Sequence, residues 1–155
     1  MKSIYYYNTK IGRIAIIENS GGITNIYPSE MLEIDKIEEK ETKLIKETAK
    51  QLNEYLDCKR KEFTIPLAPE GTDFQKRVWN ELIKIPFGTT VSYKDIAEKI
   101  GNPKAARAVG MANNKNPILI IVPCHRVIGS NGNLTGYACG IEIKKKLLNI
   151  ENPRV

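Results

Sequence analysis

The run Pro66-Leu67-Ala68-Pro69-Glu70-Gly71 divides this chain into two differently patterned parts, and any fold must respect that break. Two prolines and a glycine this close together interrupt helix and strand alike, since each proline lacks an N–H donor and fixes its own φ. The expected domains are residues 1–65 and 66–155, a division open to a chain of 155 residues.

The first part opens on strands. Ile4-Tyr5-Tyr6-Tyr7 and Arg13-Ile14-Ala15-Ile16-Ile17 are rich in β-branched and aromatic residues, with turn signals at Asn8 to Gly12 and at Asn19-Ser20-Gly21-Gly22. From Thr42 the period changes. Leu44, Ile45, Ala49, Leu52, Tyr55 and Leu56 recur at helical spacing with Lys and Glu between them, which predicts an amphipathic helix packed on the sheet. Phe63-Thr64-Ile65 offers one more strand before the break.

The second part reads as helices. Thr72 and Gln75 form a capping-box signature ahead of Phe74, Val78, Leu82 and Ile85, and Pro86-Phe87-Gly88 ends that helix. Ser92, with Asp95 three residues on, caps a second helix that reaches Ile100 and turns at Gly101-Asn102. Pro103 suits the first position of a third helix, running through Lys104 to Ala112. Two short helices joined by a Gly-containing turn make a helix-turn-helix candidate. The third helix is mostly Ala and Gly around a central Arg107, without the long polar side chains that read bases in the major groove. Such a helix suits tight packing inside the protein. Its other reading is close approach to DNA with little sequence preference, through phosphate contacts and shape.

Charge separates the two parts as well. The formal net charge is +6; residues 1–65 hold 11 Lys/Arg against 11 Asp/Glu, and residues 66–155 hold 13 against 7. An excess confined to the second part points either to a polyanionic partner or to a solvated basic surface, and Lys144-Lys145-Lys146 reads as a solvated helix face ahead of a DNA contact. No segment approaches the apolar length of a membrane span and the N-terminus lacks the pattern of a secretion signal, so a cytoplasmic protein without membrane contact is expected. One histidine and three cysteines without C-x-x-C spacing do not supply a zinc ligand set, and no metal is expected.

The apolar run Ile118-Leu119-Ile120-Ile121-Val122 predicts a buried strand or extended core segment that delivers Pro123-Cys124-His125-Arg126-Val127. A cysteine at the end of a rigid apolar element, followed by His and Arg, is a candidate nucleophile, because a base or cation favours the thiolate. In an extended segment neighbouring side chains point to opposite faces, so an inert buried cysteine is the other reading. Cys58, near a helix end, and Cys139, in a Gly-rich loop, lack this context and read as passive.

Pro123-Cys124-His125-Arg126-Val127, with Asn116-Pro117 and Arg107-Ala108-Val109-Gly110 ahead of it, resembles the signature of the O6-alkylguanine-DNA alkyltransferases over about residues 71–151. The resemblance implies an α+β fold: a small N-terminal ribonuclease-H-like sheet-plus-helix domain, then a mainly helical, winged helix-turn-helix-like domain. It implies DNA repair by direct damage reversal, in which a flipped O6-alkylguanine passes its alkyl group irreversibly to Cys124, with O4-methylthymine as a further candidate substrate. In these terms His125 takes the thiol proton through a water, Glu151 orients His125, and Asn116 positions the active-site segment. Arg107 fills the gap left in the base stack. Tyr93 crowds the 3′ phosphate and donates a hydrogen bond to the leaving guanine.

Lys94, Asn102 and Ser130 match further DNA-contacting positions of that family. The backbone of Cys124 and Val127 would accept hydrogen bonds from the guanine, and Tyr137, Ala138 and Cys139 would line the substrate pocket. The implied partner is double-stranded DNA bearing an alkylated guanine, met by a monomer without a cofactor. Ala138 stands where many members have Ser or Arg, and Cys139 where glycine or an aromatic is usual. The zinc ligands of some relatives' N-terminal domains are missing. Three other readings compete: a lesion sensor, which would have replaced the acceptor cysteine; a helix-turn-helix regulator, for which base readers are too few; and a Cys-His hydrolase, for which a separate oxyanion motif is lacking.

Overall fold

The computed structural model describes residues 1–31, 37–132, 134, 137 and 140–153. The chain divides into two compact units, Met1–Glu70 with Pro117–Leu119 and Gly71–Asn116 with Ile120–Val155.

In the first unit β1 (Lys2–Thr9), β2 (Gly12–Asn19) and β3 (Gly22–Pro28) form an antiparallel meander, and β4 (Glu38–Glu39) adds a parallel edge to β1. The sheet order is β3-β2-β1-β4. β3 escapes the alternation rule because Ile23 and Thr24, adjacent in sequence, are both buried, as is Ile26. α1 (Lys43–Leu56) follows, with Thr42 Oγ1 accepting the Ile45 N–H at 3.1 Å as its N-cap. Ile45, Ala49, Leu52, Tyr55 and Leu56 form its buried face, as their spacing predicts.

Phe63–Ile65 does not pair as a strand. Gln51, on α1, takes both polar groups of Thr64: its Oε1 accepts the Thr64 N–H at 3.0 Å and its Nε2 donates to the hydroxyl at 2.9 Å. That occupies the donor a ladder would use. The Pro/Gly break begins as a partner of β3, since the Ile23 N–H donates to the Pro66 carbonyl at 2.9 Å and the Ala68 N–H to the Ile23 carbonyl at 2.8 Å. The approach is close enough that a Cβ on Gly22 would stand 2.7 Å from that of Ala68.

The second unit holds α2 (Asp73–Ile83), β5 (Val91–Ser92), α3 (Tyr93–Lys99), α4 (Ala106–Asn114), β6 (Val127–Ile128) and α5 (Ile141–Glu151), with β5 and β6 paired in parallel. Both expected capping boxes close, Thr72 with Gln75 and Ser92 with Asp95. Val78, Leu82, Ile96, Ala97 and Val109 are buried, and Trp79 Nε1 donates to the Ala112 carbonyl at 2.9 Å, pinning α2 to α4.

Two expectations fail here for local reasons. α4 begins at Ala106 and not at Pro103, because Asn102–Ala105 is a turn closed by the Ala105 N–H on the Asn102 carbonyl at 3.0 Å. Proline's fixed φ suits the second position of such a turn as well as it suits a helix start. The run Ile118–Val122 is not an extended element either. Ile118 makes one bridge to Ile26, after which the chain turns, with Ile120 at a φ of +72°. All five residues are buried, so the run carries no periodicity that separates a strand from a buried turn.

Candidate active site

Cys124–Arg126 forms a single 3-10 turn between that bent run and β6. Its approach is fixed by Asn116, whose Nδ2 donates to the Val122 carbonyl at 2.8 Å, and by the Cys124 N–H on the same carbonyl at 2.8 Å. The left-handed Ile120 costs about 1–3 kcal/mol for a β-branched residue and persists because its surroundings are tightly set. Asn116 also hydrogen-bonds the Cys124 thiol. In a 3-10 turn successive side chains stand about 120° apart. The opposition of Cys124 and His125 that an extended segment would impose is therefore absent.

Glu151, the last residue of α5, gathers the site around its carboxylate. His125 Nε2 lies 2.6 Å from Oε2, Arg126 donates from Nε to Oε1 at 2.8 Å and from Nη2 to Oε2 at 3.0 Å, and the Gly88 N–H reaches Oε1 at 3.2 Å. Such a bidentate, charge-assisted clamp fixes the carboxylate in position. Arg126 is anchored in turn, its Nη1 donating to the Ile85 carbonyl at 2.7 Å and its guanidinium standing 5.8 Å from the Phe87 ring centre. With Nε2–H directed at Glu151, His125 keeps its basic lone pair on Nδ1.

Burial pushes the Cys124 thiol up to about 11, against the Asn116 hydrogen bond and the Lys144 charge, which pull it down. Burial also lowers His125 below its usual 6.5, opposed by its bond to Glu151 and by that charge, and reinforced by Arg126 and Lys144. At neutral pH the pair is thus a neutral thiol beside a neutral imidazole.

Of residues 144–146, Lys145 and Lys146 are exposed as a solvated face requires, and Lys144 is not. It is fully buried, and its Nζ donates to the Val127 carbonyl at 2.7 Å. Lys144, Leu147 and Glu151 share one buried face of α5, a three-and-four spacing that marks the lysine as inward. Lys145, exposed, stands 3.8 Å from Glu142. Sequence reasoning missed two other residues. Arg126 stands inside the motif, but its clamp on Glu151 does not show in the sequence, and Asn113 lies four residues after Val109 on the buried side of α4.

The expected DNA-contacting residues lie at the surface: Lys94 on α3, Asn102 in the turn, Arg107 on α4 and Ser130 after β6 are exposed. Tyr93 is half-buried at the start of α3, with its ring edge 3.7 Å from where a Cβ on Gly110 would stand. Val127 and Tyr137 are buried, whereas Ala138 and Cys139 lie outside the described residues. Of the described cysteines, Cys58 is an exposed free thiol and Cys124 a buried one.

Two family profiles match this chain, the ribonuclease-like domain of 6-O-methylguanine DNA methyltransferase over residues 4–69 and the DNA binding domain of the same family over residues 73–153. A methylated-DNA–protein-cysteine methyltransferase from Methanosarcina barkeri is 51% identical over 154 residues, covering 94% of this chain and 96% of the relative. The constitutive methylated-DNA–protein-cysteine methyltransferase of Bacillus subtilis is 47% identical over 156 residues, covering 94% of each. Among solved structures, Mycobacterium tuberculosis OGT in complex with DNA is similar at a TM-score of 0.91 and 43% identity, over 96% of this chain and 92% of that one.

Proposed function

The chain belongs to the 6-O-methylguanine DNA methyltransferase family, and from that membership we propose how its residues divide the reaction. Its activity is direct reversal of DNA damage by transfer of an alkyl group from DNA to a cysteine of the protein. The substrate we assign is O6-alkylguanine in duplex DNA, and the acceptor is Cys124. The observation that carries this reading is the single buried turn that joins a neutral thiol to an imidazole already fixed on an anchored carboxylate.

The thiol, raised by burial, needs a base at neutral pH. His125 takes its proton on Nδ1 through a bridging water, and the resulting imidazolium is stabilised by Glu151, which Arg126 holds in place. Sulfur attacks the alkyl carbon in line, the bond from that carbon to O6 breaks, and its electron pair passes to the guanine ring. Tyr93 donates a hydrogen bond to the ring as charge develops there. The thioether on Cys124 has no route back, so each molecule acts once. The target carbon is inaccessible inside a duplex, and extruding the nucleotide costs a few kcal/mol. Exposed Arg107 offsets part of that cost by filling the gap, while Lys94, Asn102 and Ser130 hold the backbone. We place the protein, as a monomer, in the cytoplasm, where the acceptor thiol stays reduced.

Intact-mass spectrometry after incubation with an O6-methylguanine oligonucleotide tests the assignment. The expected result is a gain of one methyl group on the peptide containing Cys124, absent in Cys124→Ser. Methylation at another residue, or repeated turnover of excess substrate, counts against it.

A further inference from the structure

α4 leaves a large apolar side chain in water. Met111 is 65% exposed, and the other exposed large hydrophobics among the described residues are Met1, the first residue, and Ile83, the last of α2. The remainder of α4 divides as packing requires: Val109, Ala112 and Asn113 are buried, while Arg107, Ala108 and Asn114 share the exposed side with Met111. A single apolar residue at a protein surface is ordinary. Position and surrounding charge set this one apart.

Arg107 and Met111 are four residues apart on α4, which makes them neighbours with about 5 to 6 Å between their Cβ atoms. Helical side chains lean toward the N-terminus, so Met111 covers the surface over the turn that carries Arg107. The charge around it has one sign. Residues 103–115 contain Lys104, Arg107 and Lys115 and no acidic residue, and all three cations are exposed. An apolar tip inside a basic field fits a partner that is polyanionic and also presents apolar surface. Duplex DNA has both features, since the C–H edges of its deoxyriboses lie between the phosphates and the bases.

We infer that Met111 packs on deoxyribose edges of duplex DNA beside the point that Arg107 enters, and adds an apolar contribution to binding that the lysines cannot supply. The inference rests on the assignment of the Arg107 face to DNA. Apolar side chains serve in this way where a protein binds DNA by shape, and an unbranched thioether adapts to the sugar of any nucleotide. Met111 therefore raises affinity without reading sequence, in keeping with a helix that is poor in base readers. A contact of this kind releases no counterions, so its share of the affinity does not depend on salt.

The test is fluorescence anisotropy of labelled undamaged duplex DNA with the full chain, across a salt series. Met111→Gln keeps the length and the helix propensity but makes the tip polar, and Met111→Leu keeps it apolar. Exposure at this position makes both substitutions mild for folding. Met111→Gln is expected to bind about fivefold more weakly than the wild type at every salt concentration, with the same slope of log affinity against log salt. Met111→Leu is expected to stay within about twofold of the wild type. Wild-type affinity in Met111→Gln overturns the proposal, and so does a loss that Met111→Leu shares in full. A loss that comes with a changed salt slope overturns it as well, because it belongs to phosphate contacts. If the wild type itself does not bind the duplex, the assignment of this face to DNA fails, and the role of Met111 fails with it.

Discussion

Cys124 and Lys144 set each other's chemistry. The thiol rises from an ordinary 9.0 to about 11 because it is buried, and the Lys144 charge limits the rise. A thiol whose folded value lies above its unfolded value contributes stability that is fully present below about pH 9 and lost as pH climbs toward 11. The gap corresponds to roughly 2 to 3 kcal/mol. Urea denaturation followed between pH 8 and 11 should therefore show a loss of about this size in the wild type beyond that of Cys124→Ser. Lys144→Met should push the thiol higher still, slowing iodoacetamide modification of Cys124 at a fixed pH. An unchanged modification profile would show that the lysine is no more than a brace for the Val127 carbonyl.

Among the elements, α3 and α4 carry the exposed side chains that we assign to DNA contact, and that assignment is tested by comparing substrates. Arg107→Ala is expected to slow repair in duplex DNA by about tenfold more than reaction with the free methylated base, because only the duplex leaves a gap to fill. Equal losses on both would assign Arg107 to the transfer step. The elements most legible in the sequence were those with explicit start signals. Thr72 with Gln75 and Ser92 with Asp95 mark α2 and α3 within the residues themselves. The start of α4 was hidden because Pro103 fits two local structures equally well. The bend at Ile120 was hidden because five consecutive buried apolar residues have no period. At the site, the motif marked Cys124 and His125, and the resemblance to a known family supplied Glu151. The burial of Lys144 and the grip of Arg126 on Glu151 were hidden because a buried charge is recognised by its partners, and those partners are distant in the sequence: Val127 lies 17 residues from Lys144, and Glu151 lies 25 from Arg126.

Across the whole molecule, the positive excess belongs to residues 66–155, and residues 1–65 are balanced. Binding to undamaged duplex DNA should accordingly be carried by the second part and weaken steeply with salt. With roughly three phosphate contacts, affinity measured by fluorescence anisotropy should drop about 40-fold between 50 and 200 mM salt. A flat response would mean that contacts other than ion pairs dominate. The charge boundary is sharper than the boundary in the polypeptide. Pro117–Leu119 lie late in the chain yet belong to the first unit, where the Ile26 N–H donates to the Pro117 carbonyl at 2.9 Å and the Leu119 N–H to the Ile26 carbonyl at 3.2 Å. A gene cut at the Pro/Gly break would assign these three residues to the wrong product. It would strip β3 of a bonded neighbour and leave Ile118 and Leu119 on a fragment without the strand that they pair with.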